Sequence, residues 1–292
     1  MTATQTSRYP SRVEPVPRLL PRHDPVVWGD ASLGPLDADR LGRYERVGFL
    51  EMESLLRPDE VTELLAEVDR LATDPDILTS ERAVREPGDQ TLRSVFEVHR
   101  VSERFAALCA DERLVGPARQ ILGSDVYVHQ SRVNRKPGFR GREFYWHSDF
   151  ETWHIEDGMP AMRALSVSIS LTANRIDNGS LMIIPGSHRR YVSCVGETPD
   201  DHYRQSLRAQ EYGVPDDESL QALVDDAGGI RTVVGGAGSV VMFDCNAMHG
   251  SNGNITPYAR CNVFVVFNSV ENRLVEPFGG LSPRPGFLAD RS

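Results

Sequence analysis

Short alternating segments in the second half of the chain constrain its fold more than any other feature. Residues 164–173 read ALSVSISLTA, with serines on one face and Leu, Val and Ile on the other, which is the period of a half-buried strand. Turn sequences such as Asn178-Gly179 and Pro185-Gly186 separate neighbouring segments. Short strands divided by such turns predict an antiparallel sandwich or barrel. The predicted strands are 125–133, 164–173, 181–184, 232–234, 239–243 and 260–267.

The first half of the chain lacks this alternation and predicts helices and loops. Apolar residues recur at helical spacing after Pro58, whose fixed φ suits the first turn of a helix, and a second helix is predicted over 102–122. The Pro- and Arg-rich start predicts an extended arm that either wraps the body or stays mobile. The predicted organisation is an arm (1–35) and one domain (36–292), with a helical flank (36–124), a β core (125–270) and a polar insertion (190–230).

Composition argues against several classes of protein. Acidic residues outnumber basic ones by 42 to 32, giving a net charge of −10, and an acidic surface disfavours a nucleic-acid partner because phosphates are also negative. No apolar run approaches the ~20 residues that cross a bilayer, and the first 25 residues lack the apolar segment of a secretory signal. The four cysteines have no CxxC spacing and are expected to be reduced thiols. We therefore expect a cytoplasmic protein with neither nucleic acid nor membrane as partner.

The pattern most typical of catalysis is His147-Ser148-Asp149. If this tripeptide is a strand, its His and Asp side chains point to the same side. An isolated histidine, His249, follows a predicted strand much later in the chain. Two imidazoles and one carboxylate form the facial ligand set of non-haem Fe(II) enzymes, which leaves open positions for a bidentate cosubstrate and O₂. The HxD tripeptide alone, however, occurs by chance in many chains.

Two basic residues are candidates for binding an anionic cosubstrate. Lys136 is the one lysine among 32 basic residues, so this position is expected to need an ammonium rather than a guanidinium. Arg260 begins an apolar predicted strand, where a buried guanidinium requires a carboxylate, such as the far end of a dicarboxylate that chelates iron. Taken alone, Arg260 is equally compatible with a surface charge at a strand end.

These segments resemble the phytanoyl-CoA dioxygenase-type family of Fe(II)/2-oxoglutarate oxygenases. The resemblance rests on the HxD tripeptide, on NGSLMIIPGSH at 178–188, and on the pair His249 and Arg260. It implies a double-stranded β-helix, a cupin-like jelly roll that is mainly β with flanking helices. The string FYWHSDFETWHIEDGMP at 144–160 is more specific and is similar to members that hydroxylate the small zwitterion ectoine.

The resemblance also implies roles for individual residues, together with Fe(II), 2-oxoglutarate, O₂ and a homodimer. It assigns iron to His147, Asp149 and His249, 2-oxoglutarate to Lys136, Arg260, Ser168, Ser251 and Asn262, and ectoine to Gln130, Trp153, Thr152, Phe267 and Arg284. The carboxylates Glu151, Glu156 and Asp157 are expected to form a solvated or capping cluster. Two alternatives remain: the same chemistry on another small amino-acid-like substrate, and a non-enzymatic jelly roll that binds metal incidentally.

Overall fold

A large antiparallel sheet, covered by helices on one face and by a smaller sheet on the other, forms the body of this computed structural model, which describes residues 7–85, 92–199, 203–206 and 212–291. The strands are β1 (Arg18–Pro21), β2 (Phe49–Met52), β3 (Ala83–Arg85), β4 (Leu92–Phe96), β5 (Val126–Lys136), β6 (Phe144–His147), β7 (Ala164–Ser170), β8 (Leu181–Ile183), β9 (Arg190–Ser193), β10 (Arg231–Thr232), β11 (Val240–Asp244), β12 (His249–Ser251) and β13 (Arg260–Ser269). The helices are α1 (Ala38–Val47), α2 (Pro58–Thr73), α3 (Pro75–Thr79), α4 (Val98–Val101), α5 (Glu103–Cys109), α6 (Glu112–Leu122), α7 (Asp149–Thr152), α8 (Tyr203–Ser206) and α9 (Asp217–Ala227). A π-helical turn, Trp153–Asp157, continues α7.

The sheet order confirms the predicted jelly roll with flanking helices. The large sheet runs β2-β11-β7-β13-β5-β4-β3, and the small sheet runs β10-β8-β12-β6. Strands β1 and β9 form a separate antiparallel pair. Apart from β3 and β4, which are consecutive, neighbouring strands in both sheets are far apart in the chain, as a jelly roll requires. The two sheets enclose a space between them.

Alternation along β7 separates the two faces of the large sheet, as its sequence predicts. Leu165, Val167 and Ile169 pack in one core with residues of α1, α2 and α6. Burying each such side chain contributes about 1.5–3 kcal/mol of transfer free energy. Ser166 and Ser168 alternate with them and lie on the opposite face, toward the small sheet. The sheet therefore presents polar groups to the interior of the jelly roll.

The predicted helical flank also contains three strands of the large sheet. Strand β2 pairs with β11, β4 pairs with β5, and β3 pairs with β4 at the sheet edge. The helix predicted over 102–122 is two helices, α5 and α6. It breaks because the Asp111 side chain accepts a hydrogen bond from the Arg113 backbone N–H and so caps a new helix.

The described part of the N-terminal arm lies against the body. Tyr9 is fully buried between Phe150 and Tyr191, β1 pairs with β9, and Arg22 forms a buried ion pair with Asp244 at 2.8 Å. All four cysteines are buried free thiols. Within the described ranges, the helices are too short or too polar to cross a bilayer.

Candidate active site

Three side chains with metal-binding atoms converge between the two sheets. His147 ends β6, Asp149 begins α7, and His249 begins β12, which pairs with β6 so that the two histidines are cross-strand neighbours. The Nε2 atoms of His147 and His249 lie 3.6 and 3.9 Å from Asp149 Oδ1. All three ligand atoms lie within 4.8 Å of one another, and no second His, Cys, Asp or Glu trio in the described ranges does so. This donor set fits Fe(II).

The local cause of this convergence differs from the predicted one. Ser148 is extended, but Asp149 is already the first residue of a helix rather than the continuation of a strand. The carboxylate therefore reaches the histidines from a strand-to-helix turn. Because the helix begins at Asp149 itself, Thr152 and Trp153 lie within about one helical turn of this ligand.

Hydrogen bonds orient each of the three ligands. Nδ1–H of His147 donates to the carbonyl of Tyr145 at 2.8 Å, and Nδ1–H of His249 donates to the carbonyl of Ala247 at 2.9 Å. Both Nε2 atoms are thereby left as lone-pair donors for a metal. Ser166 Oγ donates to Asp149 Oδ2 at 2.9 Å and leaves Oδ1 facing the two rings.

The electrostatics suit a divalent cation. Burial, together with the neighbouring His147, lowers the pKa of His249 to about 4, so this imidazole is neutral near pH 7. Burial raises the pKa of Asp149, but His249 and His147 outweigh it and hold the carboxyl pKa below its usual range. A neutral imidazole and an ionised carboxylate are the forms that bind a metal ion.

We expect Ser166→Ala to weaken Fe(II) binding about tenfold, since partners that orient a metal ligand contribute to affinity on that order. Ser170→Ala is the matched control, because Ser170 lies on the same face of β7 but bonds to Asn174 rather than to a ligand. Anaerobic Fe(II) titration of both variants measures the difference. Equal affinities would remove Ser166 from the site.

Lys136, Arg260 and Ser251 meet beside the metal ligands. Lys136 and Arg260 are directly opposite each other on β5 and β13, and Lys136 Nζ donates to Ser251 Oγ at 2.8 Å. Arg260 is buried, its Nη1 has no hydrogen-bond partner among the described residues, and burial lowers its pKa to about 10. Like charges directly opposite on a sheet are unfavourable. The site therefore fits an anion, such as a carboxylate, beside the metal.

Asn262 and Ser168 lie deeper on the same inner face. Asn262 Nδ2 donates to Ser168 Oγ at 3.0 Å, while Asn262 Oδ1 is buried without a partner in the described structure. The structure thus places all five residues predicted for the cosubstrate on one inner face of β5, β7 and β13 or on the facing strand β12.

The residues predicted for the substrate lie in two other places. Gln130 Nε2 donates to the Leu288 carbonyl at 2.7 Å, and Arg284 pairs with Asp157 at 2.7 Å, so both tie the C-terminal segment to the body. Trp153 packs in an apolar cluster against the ring of His129, and Thr152 is half-buried beside it. None of these four residues lines the cavity at the metal ligands. Thr152 and Trp153 belong to the segment that follows Asp149, and Arg284 pairs with Asp157 at its end.

Phe267 requires a correction. It is 1% exposed and packs with Leu165 and Val265 on the helix-covered face of the large sheet. Phe264 of the same strand lines the cavity beside His147 and His249 instead. The structure therefore replaces Phe267 by Phe264 as the aromatic residue that β13 presents to the site.

Sequence reasoning missed several other residues that line this cavity. They share the inner face of the large sheet or of β6, and are Arg93, Asn134, Arg132 and Phe144. The guanidinium of Arg132 lies over the rings of Phe264 and Phe96, at 4.9 and 5.7 Å from their centroids. Strand alternation could have identified two of these residues, because it puts residues two apart on one face. Arg132 lies two residues after Gln130, and Phe264 lies two residues after Asn262.

The acidic residues after Asp149 are buried rather than solvated. Glu151, Glu156 and Asp157 are each no more than 2% exposed. Arg12 pairs with Glu151 and Glu156, both at 2.7 Å, and Arg284 pairs with Asp157. The expectation of a solvated or capping cluster was wrong because cations from both ends of the chain reach this segment.

Comparisons with known proteins point to one family. The profile of phytanoyl-CoA dioxygenase (PhyH) matches residues 44–261. The chain is 58% identical to an ectoine dioxygenase of Bordetella bronchiseptica, over 97% of this chain and 92% of that one. A crystal structure of EctD from S. alaskensis with 2-oxoglutarate and 5-hydroxyectoine superposes with a TM-score of 0.89 at 48% identity, covering 98% and 95% of the chains. The same protein with bound Fe gives 0.88 at 47% identity, with the same coverage.

Proposed function

The chain belongs to the phytanoyl-CoA dioxygenase family, and we propose that it is an Fe(II)- and 2-oxoglutarate-dependent dioxygenase that hydroxylates ectoine to 5-hydroxyectoine. His147, Asp149 and His249 hold the iron. When bound, Fe(II) and 2-oxoglutarate reduce O₂ so that one oxygen atom enters a C–H bond, while 2-oxoglutarate loses CO₂ and becomes succinate.

Two buried guanidinium groups that form no ion pair with a carboxylate of the described residues are the observation that carries this proposal. Arg260 and Arg132 both line the cavity at the metal ligands, and neither forms an ion pair within the described structure. A site that takes two carboxylate-bearing molecules has a use for two such cations. Arg260, beside Lys136, binds 2-oxoglutarate, and Arg132 binds the carboxylate of ectoine.

The remaining residues orient the two ligands and exclude water. Ser251, Ser168 and Asn262 offer hydroxyl and amide groups to 2-oxoglutarate. The rings of Phe144 and Phe264 form apolar walls that exclude water from the site, and the guanidinium groups of Arg93 and Arg132 lie over them at 5.7 and 4.9 Å. Gln130, Thr152, Trp153 and Arg284 close the substrate side through the segment that follows Asp149. Holding the target carbon in place and excluding water directs the oxidation to it.

The function is tested with purified protein, Fe(II), 2-oxoglutarate and O₂, and a panel of ectoine, proline and lysine. We expect ectoine alone to gain one oxygen atom by mass, with one succinate formed for each hydroxylated product. Hydroxylation of proline or lysine in preference to ectoine would contradict the proposed substrate. No turnover of any of the three, with no Fe(II)–2-oxoglutarate absorption band under anaerobic conditions, would favour a binding module.

Arg132→Leu tests the proposed contact with the ectoine carboxylate. We expect the KM for ectoine to rise about tenfold, equivalent to ~1.4 kcal/mol, with the KM for 2-oxoglutarate unchanged. Arg135→Leu is the matched control, since Arg135 lies on the same strand but pairs with Asp69 at the surface. A rise in the KM for 2-oxoglutarate instead would exchange the roles of Arg132 and Arg260.

Three further parts of the proposal concern the whole chain. We propose an arm over 1–35 followed by a single oxygenase domain over 36–292, a homodimer, and a cytoplasmic location, to which the four free thiols are suited. Light scattering after size exclusion, giving one chain mass instead of two, would contradict the homodimer. Fractionation that finds the protein outside the cytoplasm would contradict the location.

A further inference from the structure

One arginine of the N-terminal arm joins two carboxylates of the segment that follows the metal ligand. Arg12 Nε and Nη2 donate to the two oxygens of Glu151 at 2.9 and 2.7 Å, and Nη1 donates to Glu156 Oε1 at 2.7 Å. The side chains of Arg12 and Glu151 are 4% and 1% exposed. A planar guanidinium that uses all three nitrogens in this way fixes its partners in both distance and orientation.

The two carboxylates flank two of the residues proposed to close the substrate side of the site. Glu151 lies in α7, two residues after Asp149, and Glu156 lies in the π-helical turn. Thr152 and Trp153 lie between them. A π-helical turn is a rare geometry that occurs often at functional sites. Arg12 therefore bridges the junction between α7 and the π-helical turn, which is formed by Thr152 and Trp153.

The surroundings of Arg12 are built for this contact. Its φ is +60°, an unfavourable conformation for a residue with a side chain, and its backbone N–H donates to the Cys194 carbonyl at 2.8 Å. Ser11 Oγ donates to Glu151 Oε1 at 2.6 Å. A Cβ at Gly213 would collide with Glu151 Oε2, so a side chain there would have to displace this carboxylate from Arg12.

Contacts other than those of Arg12 also attach the arm to the body. Tyr9 is buried against Phe150, β1 pairs with β9, and Arg22 is bound to Asp244, none of which involves Glu151 or Glu156. The arm thus has other anchors. The bridge made by Arg12 is available for a role in the reaction.

We propose that Arg12 is a positioning residue for hydroxylation, which holds Thr152 and Trp153 in register with Asp149 by bridging Glu151 and Glu156. This inference rests on the proposed function. Arg12 touches neither metal nor substrate and acts through the segment over 149–157. Loosening that segment displaces the target carbon, so 2-oxoglutarate is consumed without hydroxylation.

Arg12→Lys tests the proposal, because an ammonium keeps the charge but cannot make the three-nitrogen bridge. We expect the ratio of hydroxyectoine to succinate to fall at least threefold, with the KM for 2-oxoglutarate unchanged. A residue that only stabilises the fold would lower both products together and leave this ratio unchanged. An unchanged ratio in folded Arg12→Lys would therefore overturn the positioning role.

Arg113→Lys is the matched control. Arg113 also bridges two carboxylates, Glu60 and Asp111, at 2.6 and 2.5 Å, but it lies in the helical layer away from the site. We expect the Tm of Arg113→Lys to fall, while its ratio of hydroxyectoine to succinate stays at the wild-type value. A ratio lowered as much as in Arg12→Lys would mean that general destabilisation causes uncoupling, and would overturn the proposal.

A second variant and the wild type complete the test. If Arg12→Lys does not fold, Glu156→Gln decides the matter, since it keeps the bidentate pair of Arg12 with Glu151 and weakens the Arg12 bridge, together with the longer contact of Glu156 with Arg284 at 3.6 Å. We expect the ratio of hydroxyectoine to succinate to fall in Glu156→Gln, and a ratio equal to that of the wild type would overturn the proposal. Failure of the wild-type protein to hydroxylate ectoine would overturn the proposed function and this inference together, whereas tight coupling in every variant overturns only the role of Arg12.

Discussion

Replacing Asp149 with alanine is expected to abolish Fe(II) binding at micromolar metal and to lower ectoine hydroxylation at least ~1,000-fold. Changing a group that merely orients a metal ligand costs about 10–100-fold, and removal of the ligand itself costs more. Asp149 is the one anionic member of the trio, and the pKa of His249 near 4 means that this partner contributes no charge. Without Asp149, a divalent ion would be held by two imidazoles in a buried site, with no protein carboxylate to offset its desolvation.

The measurement is an anaerobic titration with Fe(II) and 2-oxoglutarate, followed by product analysis after O₂ is admitted. Asp177→Ala is the matched control, because Asp177 is a 42% exposed carboxylate paired with Arg175 at the surface. Circular dichroism must show that both variants are folded. Near-normal hydroxylation by Asp149→Ala with added iron would remove Asp149 from the metal site.

The parts of the fold that local patterns determine could be predicted from the sequence. Strand β7 alternates strictly between apolar residues and serines because one face meets the helices and the other the interior. Strands β2 and β4 were missed because they are only four and five residues long and are stabilised by distant partners, β11 and β5. So short a segment carries too little periodicity to be told from a loop.

The metal ligands could be predicted from the sequence, because their residue types alone indicate the chemistry. The His147, Asp149 and His249 trio needs no packing argument, because few other side-chain combinations bind Fe(II) facially. Phe264 could not be told from Phe267 by hydrophobicity, since all ten residues of β13 are buried and both faces look alike. The register between β13 and β7 distinguishes the two, because Phe264 is opposite Ser168 on the inner face and Phe267 is opposite Leu165 on the helix-covered face.

Burial of Glu151, Glu156 and Asp157 could not be read from the sequence at all. Acidic residues this close together in a sequence are usually solvated, because an unpaired buried carboxylate is strongly unfavourable. The compensating cation, Arg12, is 139 residues before Glu151 in the chain. No local pattern connects an arm to the segment it neutralises, so this contact emerges only from the structure.

Arg260→Gln is expected to raise the KM for 2-oxoglutarate about 100-fold, or ~2.7 kcal/mol, with little change in the KM for ectoine. Removing one partner of a buried charge pair is costly because the other charge is then desolvated and unpaired. Arg260→Lys keeps the charge but loses the planar fork, so we expect a smaller rise of about tenfold. A 2-oxoglutarate KM within twofold of wild type in both variants would exclude Arg260 from binding the cosubstrate.

Thermal stability separates this role of Arg260 from a structural one, because the two predict opposite signs. Without ligand, the Arg260 guanidinium is buried and forms no ion pair with any described residue, and burial lowers its pKa to about 10, so the charge destabilises the fold below that pH. Arg260→Gln removes this cost, and its ligand-free Tm is expected to be no lower than that of the wild type.

Saturating 2-oxoglutarate with a redox-inert divalent metal should raise the Tm of the wild type, because a ligand that binds the native state stabilises it. The same addition should leave the Tm of Arg260→Gln almost unchanged. A ligand-free Tm well below that of the wild type would show that Arg260 stabilises the fold, and a full ligand-induced rise in Arg260→Gln would show that the cosubstrate is held elsewhere.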